Sequence, residues 1–417
     1  MTISRGGRNA LILAGFALAH GLLLGYVYQE LLPARYSGVK LYYDFASNVV
    51  GGKLPYRDFP LEYPPFALVF FVLPRLVAST LLGYYRWFQV EVIVFELAGL
   101  AILGLIAHQR NRSLVPPLAG YTIAIAAMGP ITGQQFDIFP AILTLAALYC
   151  FWRERHATGW VLVALGALTK LFPLLVAPVW LFAYWNGDLD AANANIRLLK
   201  RSAAAFGITT VVVLLPWLVA PASLRFFVQY HAERGIQLES TYATLLLIAA
   251  RLHMISMSTA MSFGSWNVTG GAATALTRLS TPLFLAALIG VVLRLRRYPP
   301  RRDATHGADI EWLAMGTLLV LVATLLTSKV FSPQYLLWLL PLIALVPAGS
   351  RAAVWATFAL AGLATYYIFP MHYLELVRGN AAPEAALLVR NALIGLLAYL
   401  AARAVRALHA SGEGARA

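Results

Sequence analysis

The stretch KLPYRDFPLEYPPFALVFFVLPR, from Lys53 to Arg75, decides how the chain is threaded. Its first half is rich in charged residues and prolines, and its second half is an apolar run. If the run 65–79 crosses a membrane, every basic cluster after it changes sides, because one more span then separates those clusters from the N-terminus. The composition of the whole chain indicates that it is a membrane protein.

The chain has 417 residues, of which 60% are hydrophobic and only 12% are charged. A soluble domain carries about 25% charged residues, so the recurring apolar runs predict an all-α polytopic membrane protein. The net charge is +14. Because cytoplasmic loops of membrane proteins collect Lys and Arg, this charge is expected without nucleic acid as a partner. The single cysteine, Cys150, excludes an intramolecular disulfide.

The basic clusters set the topology if all of them are cytoplasmic. The apolar runs 9–28, 65–79 and 87–107 lie between Arg8 and Arg110. Their number is odd, so one of them does not cross. The run 65–79 is interrupted by prolines and keeps about nine uninterrupted apolar residues, far fewer than the roughly 20 that a span needs. We therefore predict that it is a short helix at the outer surface.

The remaining runs complete about 12 predicted spans with both termini in the cytoplasm. Segment 159–185 is too long for one span and contains Lys170, so it predicts a hairpin of two short helices with TKLFP at its outer end. The predicted spans are 9–28, 87–107, 114–130, 138–152, the two halves of 159–185, 203–220, 273–293, 310–327, 335–347, 352–369 and 385–402.

The whole chain, 1–417, is expected to form one domain in the plasma (inner) membrane. Its extramembrane parts are predicted to be a first outer loop at 29–86, a second outer loop at 222–272 and a cytoplasmic tail at 403–417. Polar residues outside the basic clusters gather on the predicted outer face, among them Asp137 in the turn 131–137.

Lys170 and Lys329 lie at membrane depth on that outer face, where the positive-inside rule does not favour them. An ionisable group at such a depth is costly and indicates function, although a long lysine side chain also snorkels to the interface. Cationic groups stabilise a departing phosphate, and a carboxylate accepts the proton of an acceptor hydroxyl. This combination is typical of glycosyl transfer from a polyprenyl-phosphate sugar, and the same residues would also suit a transport path.

Five segments, taken in order, resemble the GT-C glycosyltransferases, specifically glycosyltransferase family 87. They are LYYDFASNVVGGKLPYRDFPLEYPP, GQQFDIFPAILTLAALY, GALTKLFPLLVAPVWLF, ERGIQLEST and FSPQYLLWLLPL. The resemblance implies a GT-C-like fold with amphipathic helices and a catalytic Asp in the first outer loop. It also implies a polyprenyl-phosphate donor, inversion at the anomeric carbon and no nucleotide sugar. Mannose is the family's expected sugar, and the acceptor would be a glycolipid or a glycan.

One position departs from the pattern of the resemblance. An Asp is expected a few residues before the LY of the first segment, and Gly38 stands there. Asp44, the carboxylate of the amphipathic segment, is then the first candidate for the catalytic base and Asp58 is the second. Asp58 also fits a role as a turn or helix cap. If neither acts as the base, the chain is a divergent, non-catalytic member, and a transporter or flippase of lipid-linked sugar is a further alternative.

The other site residues are assigned by their position in the resemblance. Lys170 matches the lysine near the donor phosphate, and Arg234 and Lys329 are further candidate phosphate ligands. No metal or cofactor is assigned, although a divalent cation on the outer carboxylates stays open. The candidate substrate-binding residues are Glu62, Tyr63, Gln134, Gln135, His231 and Glu239, of which the two glutamines also fit helix-end capping.

Overall fold

The computed structural model describes residues 5–27, 38–184, 192–217, 229–300 and 308–410. Its α-helices are α1 (Arg5–Leu22), α2 (Val39–Val50), α3 (Ala67–Val77), α4 (Leu81–Gln109), α5 (Val115–Met128), α6 (Ile138–Trp152), α7 (His156–Thr169), α8 (Ala177–Tyr184), α9 (Ala192–Leu214), α10 (Thr241–Arg251), α11 (Gly271–Arg297), α12 (Ile310–Thr327), α13 (Leu340–Ala344), α14 (Arg351–Tyr366), α15 (Tyr373–Val377) and α16 (Ala381–Ala410). Short 3-10 or π turns extend several of them, at Leu23–Val27, Gly129–Gln134, Phe172–Val176, Leu215–Trp217, Pro333–Leu339, Ala348–Ser350 and Tyr367–Met371.

Seven helical stretches among the described residues are long and apolar enough to cross a membrane. Shorter apolar helices accompany them, and every predicted span overlaps a described helix. The predicted fold class, an all-α polytopic membrane protein, is confirmed, and the shorter apolar helices are compatible with the predicted count of about 12 spans. Parts of the predicted spans, loops and tail, at 28, 29–37, 185, 218–220, 222–228 and 411–417, lie outside the described residues.

Two predicted boundaries differ from the structure: helix α4 begins inside the predicted first loop, and helix α16 continues into the predicted tail. The hydroxyl of Thr80 accepts a hydrogen bond from the Gly83 amide at 3.1 Å, so α4 begins at Leu81, inside the predicted first loop. Helix α16 continues to Ala410, and buried Ala404 and Val405 keep it packed through the start of the predicted tail.

The opening stretch contains α3, a helix of 11 residues. At 1.5 Å per residue it is about 16 Å long, roughly half the hydrocarbon thickness of a bilayer. Phe70 stacks on Phe139 with ring centroids 4.4 Å apart, whereas Leu76 is 66% exposed. The helix therefore presents one face to the bundle and one face outward, and its length fits the prediction that it does not cross.

The predicted hairpin in segment 159–185 is present as α7 and α8. At its tip the chain turns so tightly that a Cβ on Gly166 would lie 3.0 Å from the Cγ of Pro173. At its open end the indole nitrogen of Trp180 lies 3.1 Å from Nδ1 of His156. Lys170 follows the last residue of α7, so the fold carries this side chain to the tip.

A small antiparallel sheet lies in the predicted second outer loop, and the sequence analysis missed it. Strands β1 (Ile236–Gln237), β2 (Ser258–Ser262) and β3 (Ser265–Thr269) have the order β1-β3-β2. The β2–β3 turn places Phe263 and Gly264 at positive φ, 50° and 68°, as a two-residue hairpin of the type I′ class requires. Strands of two to five residues give little periodicity, which is why the pattern was not visible.

Two helices show that the bundle has distinct ends. Glu311 lies in the first turn of helix α12, and Lys329 comes shortly after its last residue. The 18 residues of the helix therefore separate Glu311 from Lys329 by about 27 Å. Helix α5 follows Arg112 and leads through a 3-10 turn towards Asp137. We call the two regions the Lys170 end and the Arg110 end of the bundle, after the residues described below.

Candidate active site

The ammonium group of Lys170 is enclosed by one carboxylate and three aromatic rings. Its Nζ donates to Oδ1 of Asp137 at 2.5 Å, and the Lys170 side chain is 16% exposed. Nζ lies 4.8 Å from the ring centroids of Phe136 and Tyr335 and 5.6 Å from that of Trp338. Ring faces attract a cation and exclude water, so they hold the charge without using its hydrogen-bond donors.

Asp137 is fully buried, and one of its two carboxylate oxygens accepts two hydrogen bonds. The indole of Trp338 donates to the same Oδ1 at 2.7 Å, and Oδ2 has no hydrogen-bond partner among the described residues. Trp338 is itself held by stacking on Phe172 at 4.3 Å. The sequence analysis placed Asp137 on the outer face but gave it no role. Its position at the start of α6, inside the GQQFD segment, was the available signal.

Glu62 and His231 belong to the same charged cluster. Nε2 of His231 lies 3.3 Å from the backbone carbonyl of Glu62. The pKa of His231 is lowered, mainly by desolvation and also by the positive charges of Arg234 and Lys170. The pKa values of Tyr63 and Tyr230 are raised by burial and further by the charge and hydrogen bonding of the Glu62 carboxylate. The Tyr63 ring packs edge-on against Phe136, with centroids 4.8 Å apart, and Phe136 also covers Lys170, so Glu62, Tyr63 and His231 lie next to Lys170.

Arg234 and Lys329 lie on the side of this cluster that contacts the small sheet. Arg234 donates to the hydroxyl of Ser265 at 3.1 Å and lies over the Tyr230 ring, and its Nε has no partner among the described residues. Lys329 donates to the backbone carbonyl of Ala232 at 2.8 Å, and burial and the charge of Arg234 lower its pKa. Two of the three predicted phosphate ligands, Arg234 and Lys329, thus lie around one segment, 230–234.

Gly38 has a packing reason in this chain. A Cβ at this position would lie 2.7 Å from the hydroxyl of Tyr42 and 3.3 Å from Oε1 of Gln135. The Tyr42 hydroxyl donates to that same oxygen at 3.0 Å. Burial and the charge of Asp137 raise the pKa of Tyr42 well above its usual value, so the phenol is neutral. The expected Asp position is therefore closed by a Tyr–Gln hydrogen bond.

The two predicted catalytic aspartates make local contacts. Asp44 pairs with Lys40 one helical turn earlier, at 2.7 Å, and its side chain is 48% exposed. Asp58 accepts from the Leu54 amide at 2.8 Å and pairs with Arg57, whose guanidinium lowers the pKa of Asp58. Neither has a hydrogen bond or ion pair to Lys170 among the described residues. Their catalytic role stays a prediction, and the capping alternative for Asp58 matches its contacts.

The other predicted substrate ligands are buried. Gln134 donates to the hydroxyl of Tyr85 at 2.7 Å, and its Oε1 has no partner among the described residues. Glu239 is 1% exposed and accepts from Gln237 at 3.2 Å, and its backbone carbonyl accepts from Arg390. Burial raises the pKa of Glu239 to about 8, against the opposing charge of Arg390. These contacts tie Glu239 to the protein interior, and its substrate role stays a prediction.

In the part of the chain that the structure describes, no group of three or more His, Cys, Asp or Glu residues is placed to hold a metal ion. The side chains at the Lys170 end are instead cations, the carboxylates of Asp137 and Glu62, and neutral phenols. Such a set binds and stabilises an anion while leaving a carboxylate to accept a proton.

The chain matches one family of known proteins in sequence. Residues 61–328 match the model of glycosyltransferase family 87. A similar solved structure is the crystal structure of ArnT from Cupriavidus metallidurans bound to undecaprenyl phosphate, with 14% identity and a TM-score of 0.46 over 98% of this chain and 79% of that one. No curated protein matches the sequence. On the family match, which covers most of the chain and includes Glu62, Asp137, Lys170 and Arg234, the protein is a membrane glycosyltransferase and belongs to glycosyltransferase family 87.

Proposed function

We propose that the protein transfers a hexose, with mannose as the first choice, from a polyprenyl-phosphate donor to a glycolipid or glycan acceptor at the extracytoplasmic face of the plasma (inner) membrane. The observation that carries the proposal is the enclosed ammonium of Lys170, held between Asp137 and three rings at the end of the bundle that also contains Arg234 and Lys329. The predicted topology puts this end outside.

The reaction needs positive charge at this place. When the bond between the anomeric carbon and the phosphate oxygen breaks, the departing polyprenyl phosphate gains one negative charge. A lysine ammonium has three donors, and its hydrogen bond to Asp137 uses one of them. The remaining donors, with the free Nε of Arg234, suit the phosphate oxygens. Preorganised charge in a water-poor site is worth most where charge develops.

The contacts favour Glu62 over Asp44 and Asp58 as the general base. The new glycosidic bond forms as the acceptor hydroxyl attacks the anomeric carbon and its proton passes to a carboxylate. Glu62 precedes Tyr63, whose ring packs on Phe136 beside Lys170, whereas Asp44 and Asp58 are each engaged by a neighbouring cation. The inverted configuration at the anomeric carbon follows from attack on the face opposite the phosphate.

The test uses the purified full-length protein in proteoliposomes with radiolabelled polyprenyl-phosphate mannose and a cell-envelope lipid extract as the source of acceptor. We expect a new, inverted glycosidic product from the wild type. Glu62→Gln is expected to lower the transfer rate by about 10²- to 10⁴-fold, the usual contribution of a general base. Asp44→Asn and Asp58→Asn serve as matched single-carboxylate controls and are expected to keep the wild-type rate.

Three outcomes would contradict parts of this proposal. Sugar that crosses the liposome membrane without any glycosidic bond would favour the transporter. No product and no transport from any polyprenyl-phosphate hexose would favour the non-catalytic alternative. If Asp44→Asn or Asp58→Asn loses transfer while Glu62→Gln stays active, the general base is that aspartate and not Glu62.

A further inference from the structure

A cavity of about 260 Å³ lies at the Arg110 end of the bundle. Its floor is apolar and includes Leu103, Ile106 and Val346, and its polar wall contains Arg110, Arg112, Glu311 and Arg351. The side chain of Arg112 is 56% exposed, so the cavity reaches the surface there. None of these residues has a part in the proposed sugar transfer.

Two of the three arginines at the cavity form ion pairs. Glu311 Oε1 accepts from Nη1 of Arg110 at 2.6 Å and from Nη1 of Arg112 at 2.7 Å, and Asp309 lies 3.5 Å from Arg110. These contacts join the turn between α4 and α5 to the start of α12. Three guanidinium groups thus face two carboxylates, and the wall keeps a net positive charge.

Arg351 supplies the uncommitted charge. It forms no ion pair among the described residues, and its buried Nε has no hydrogen-bond partner there. Its guanidinium lies 5.7 Å from the ring centroid of Trp355, one helical turn further along α14. Trp355 is fixed by donating to the Ile343 carbonyl at 3.0 Å and by packing against Gly120, where any Cβ would clash. Arg351 is therefore held in place at the cavity with free donors.

The location decides the chemistry of the ligand. Helix α12 separates the cavity from Lys329 by about 27 Å, close to the hydrocarbon thickness of a bilayer, so the cavity lies near the opposite headgroup layer. Basic pockets between membrane helices at this level bind phosphate headgroups. Guanidinium groups match phosphate oxygens, and the apolar floor suits a hydrocarbon chain.

We propose that this cavity is a binding site for a phosphate ester on an apolar chain, held by Arg351 and Arg112 above Leu103 and Val346. Two sources share this chemistry: an anionic phospholipid of the surrounding leaflet, and a polyprenyl phosphate. The site is separate from the Lys170 end, and it does not depend on the proposed transfer reaction.

The test is equilibrium binding of radiolabelled lipids to the full-length protein in detergent. The probes are phosphatidylglycerol and a polyprenyl monophosphate, with diacylglycerol and inorganic phosphate as competitors that lack the headgroup phosphate or the chain. All proteins compared carry Lys170→Met/Asp137→Asn, so that binding at the Lys170 end is weakened and is the same in each of them. The phosphate lipid that binds tighter identifies the source.

Two variants probe the cavity in different ways. Arg351→Gln removes the uncommitted charge and leaves the Glu311 ion pairs intact. Ala348→Trp fills the cavity from an exposed lining position, so its effect on folding is expected to be small. Each is expected to weaken binding of the tighter lipid by about tenfold, as for the loss of a charge-assisted contact. Arg296→Gln is the matched control, because it removes one exposed arginine near the same end, and it is expected to bind normally.

Equal binding by wild type, Arg351→Gln and Ala348→Trp would overturn the proposal, as would an equal loss in Arg296→Gln. Diacylglycerol that competes as well as the phosphate lipids would show that phosphate is not recognised. Inorganic phosphate that competes at the same concentration as the lipids would show that the chain is not recognised.

Discussion

The two ends of the bundle hold buried positive charge in opposite ways. At the Lys170 end a single ammonium has one carboxylate partner, and aromatic faces cover the rest of it. At the Arg110 end two guanidinium groups share the carboxylate of Glu311 and connect helices that are far apart in sequence. Ring faces leave donors uncommitted, whereas shared carboxylates consume them. The first end is therefore suited to a charge that appears during a reaction, whereas the Glu311 ion pairs at the second end hold the fold and, of the arginines described at the cavity, leave only Arg351 uncommitted.

The largest effect that tests this contrast is expected for Glu311→Gln. Its side chain is 10% exposed, and its removal leaves Arg110 and Arg112 without their carboxylate. Breaking a buried ion pair on one side costs about 3 kcal/mol, so we expect a clear loss of thermal stability in detergent. Transfer activity per folded molecule is expected to stay at the wild-type value, because the site lies at the other end.

Asp44→Asn provides the matched comparison for stability. It breaks the ion pair between Lys40 and Asp44, which lie one helical turn apart with side chains 67% and 48% exposed. Such exposed pairs contribute about 0.3–0.5 kcal/mol. A Glu311→Gln protein that is as stable as Asp44→Asn, or one that has lost transfer while still folded, would break the division between the two ends.

A smaller effect on stability is expected for Glu239. Its pH dependence tells whether this residue is a buried structural group or a charged group that faces the substrate. Its pKa of about 8 lies above the unfolded value near 4.3, so the folded protein binds more protons between those pH values and loses stability as the pH rises through them. Glu239→Gln stays neutral in the same contacts and is expected to remove this decline. The measurement is the melting temperature of both proteins from pH 5 to pH 8.

The difference between the two melting profiles isolates Glu239, because all other titrating groups are shared. Parallel profiles would mean that Glu239 is ionised when folded. Glu239 would then be a charged group of the site, as the sequence predicted, and its contacts to Gln237 and Arg390 would not define its role.

Local signals account for what the sequence predicted well. Apolar runs located the helices, because the thickness of the bilayer sets the length of an apolar span. The prolines and Lys170 in segment 159–185 were enough to predict the hairpin and to place its lysine at the tip. The choice between a crossing and a non-crossing run at 65–79 followed from proline positions, and the 11-residue helix fits it.

Tertiary contacts account for what the sequence analysis missed. Asp137 and Lys170 are 33 positions apart, and Trp338 reaches the same carboxylate from 201 positions away, so no local pattern reveals the cluster. By contrast, the engagement of Asp44 was visible in advance, since Lys40 stands four residues earlier on the same helix. Residue type alone identified carboxylates, and only packing separated those that face the lysine from those that face a neighbouring cation.

The most direct test of the account is the single-turnover transfer rate of Lys170→Met/Asp137→Asn at saturating polyprenyl-phosphate mannose. Removing both charges together avoids leaving a buried, unpaired carboxylate, so the melting temperature is expected to stay close to that of the wild type. The account predicts that the rate falls by about 10²- to 10³-fold, as when one preorganised charge-stabilising group is lost. A folded double variant that transfers mannose at the wild-type rate would contradict the assignment of Lys170 to the departing phosphate.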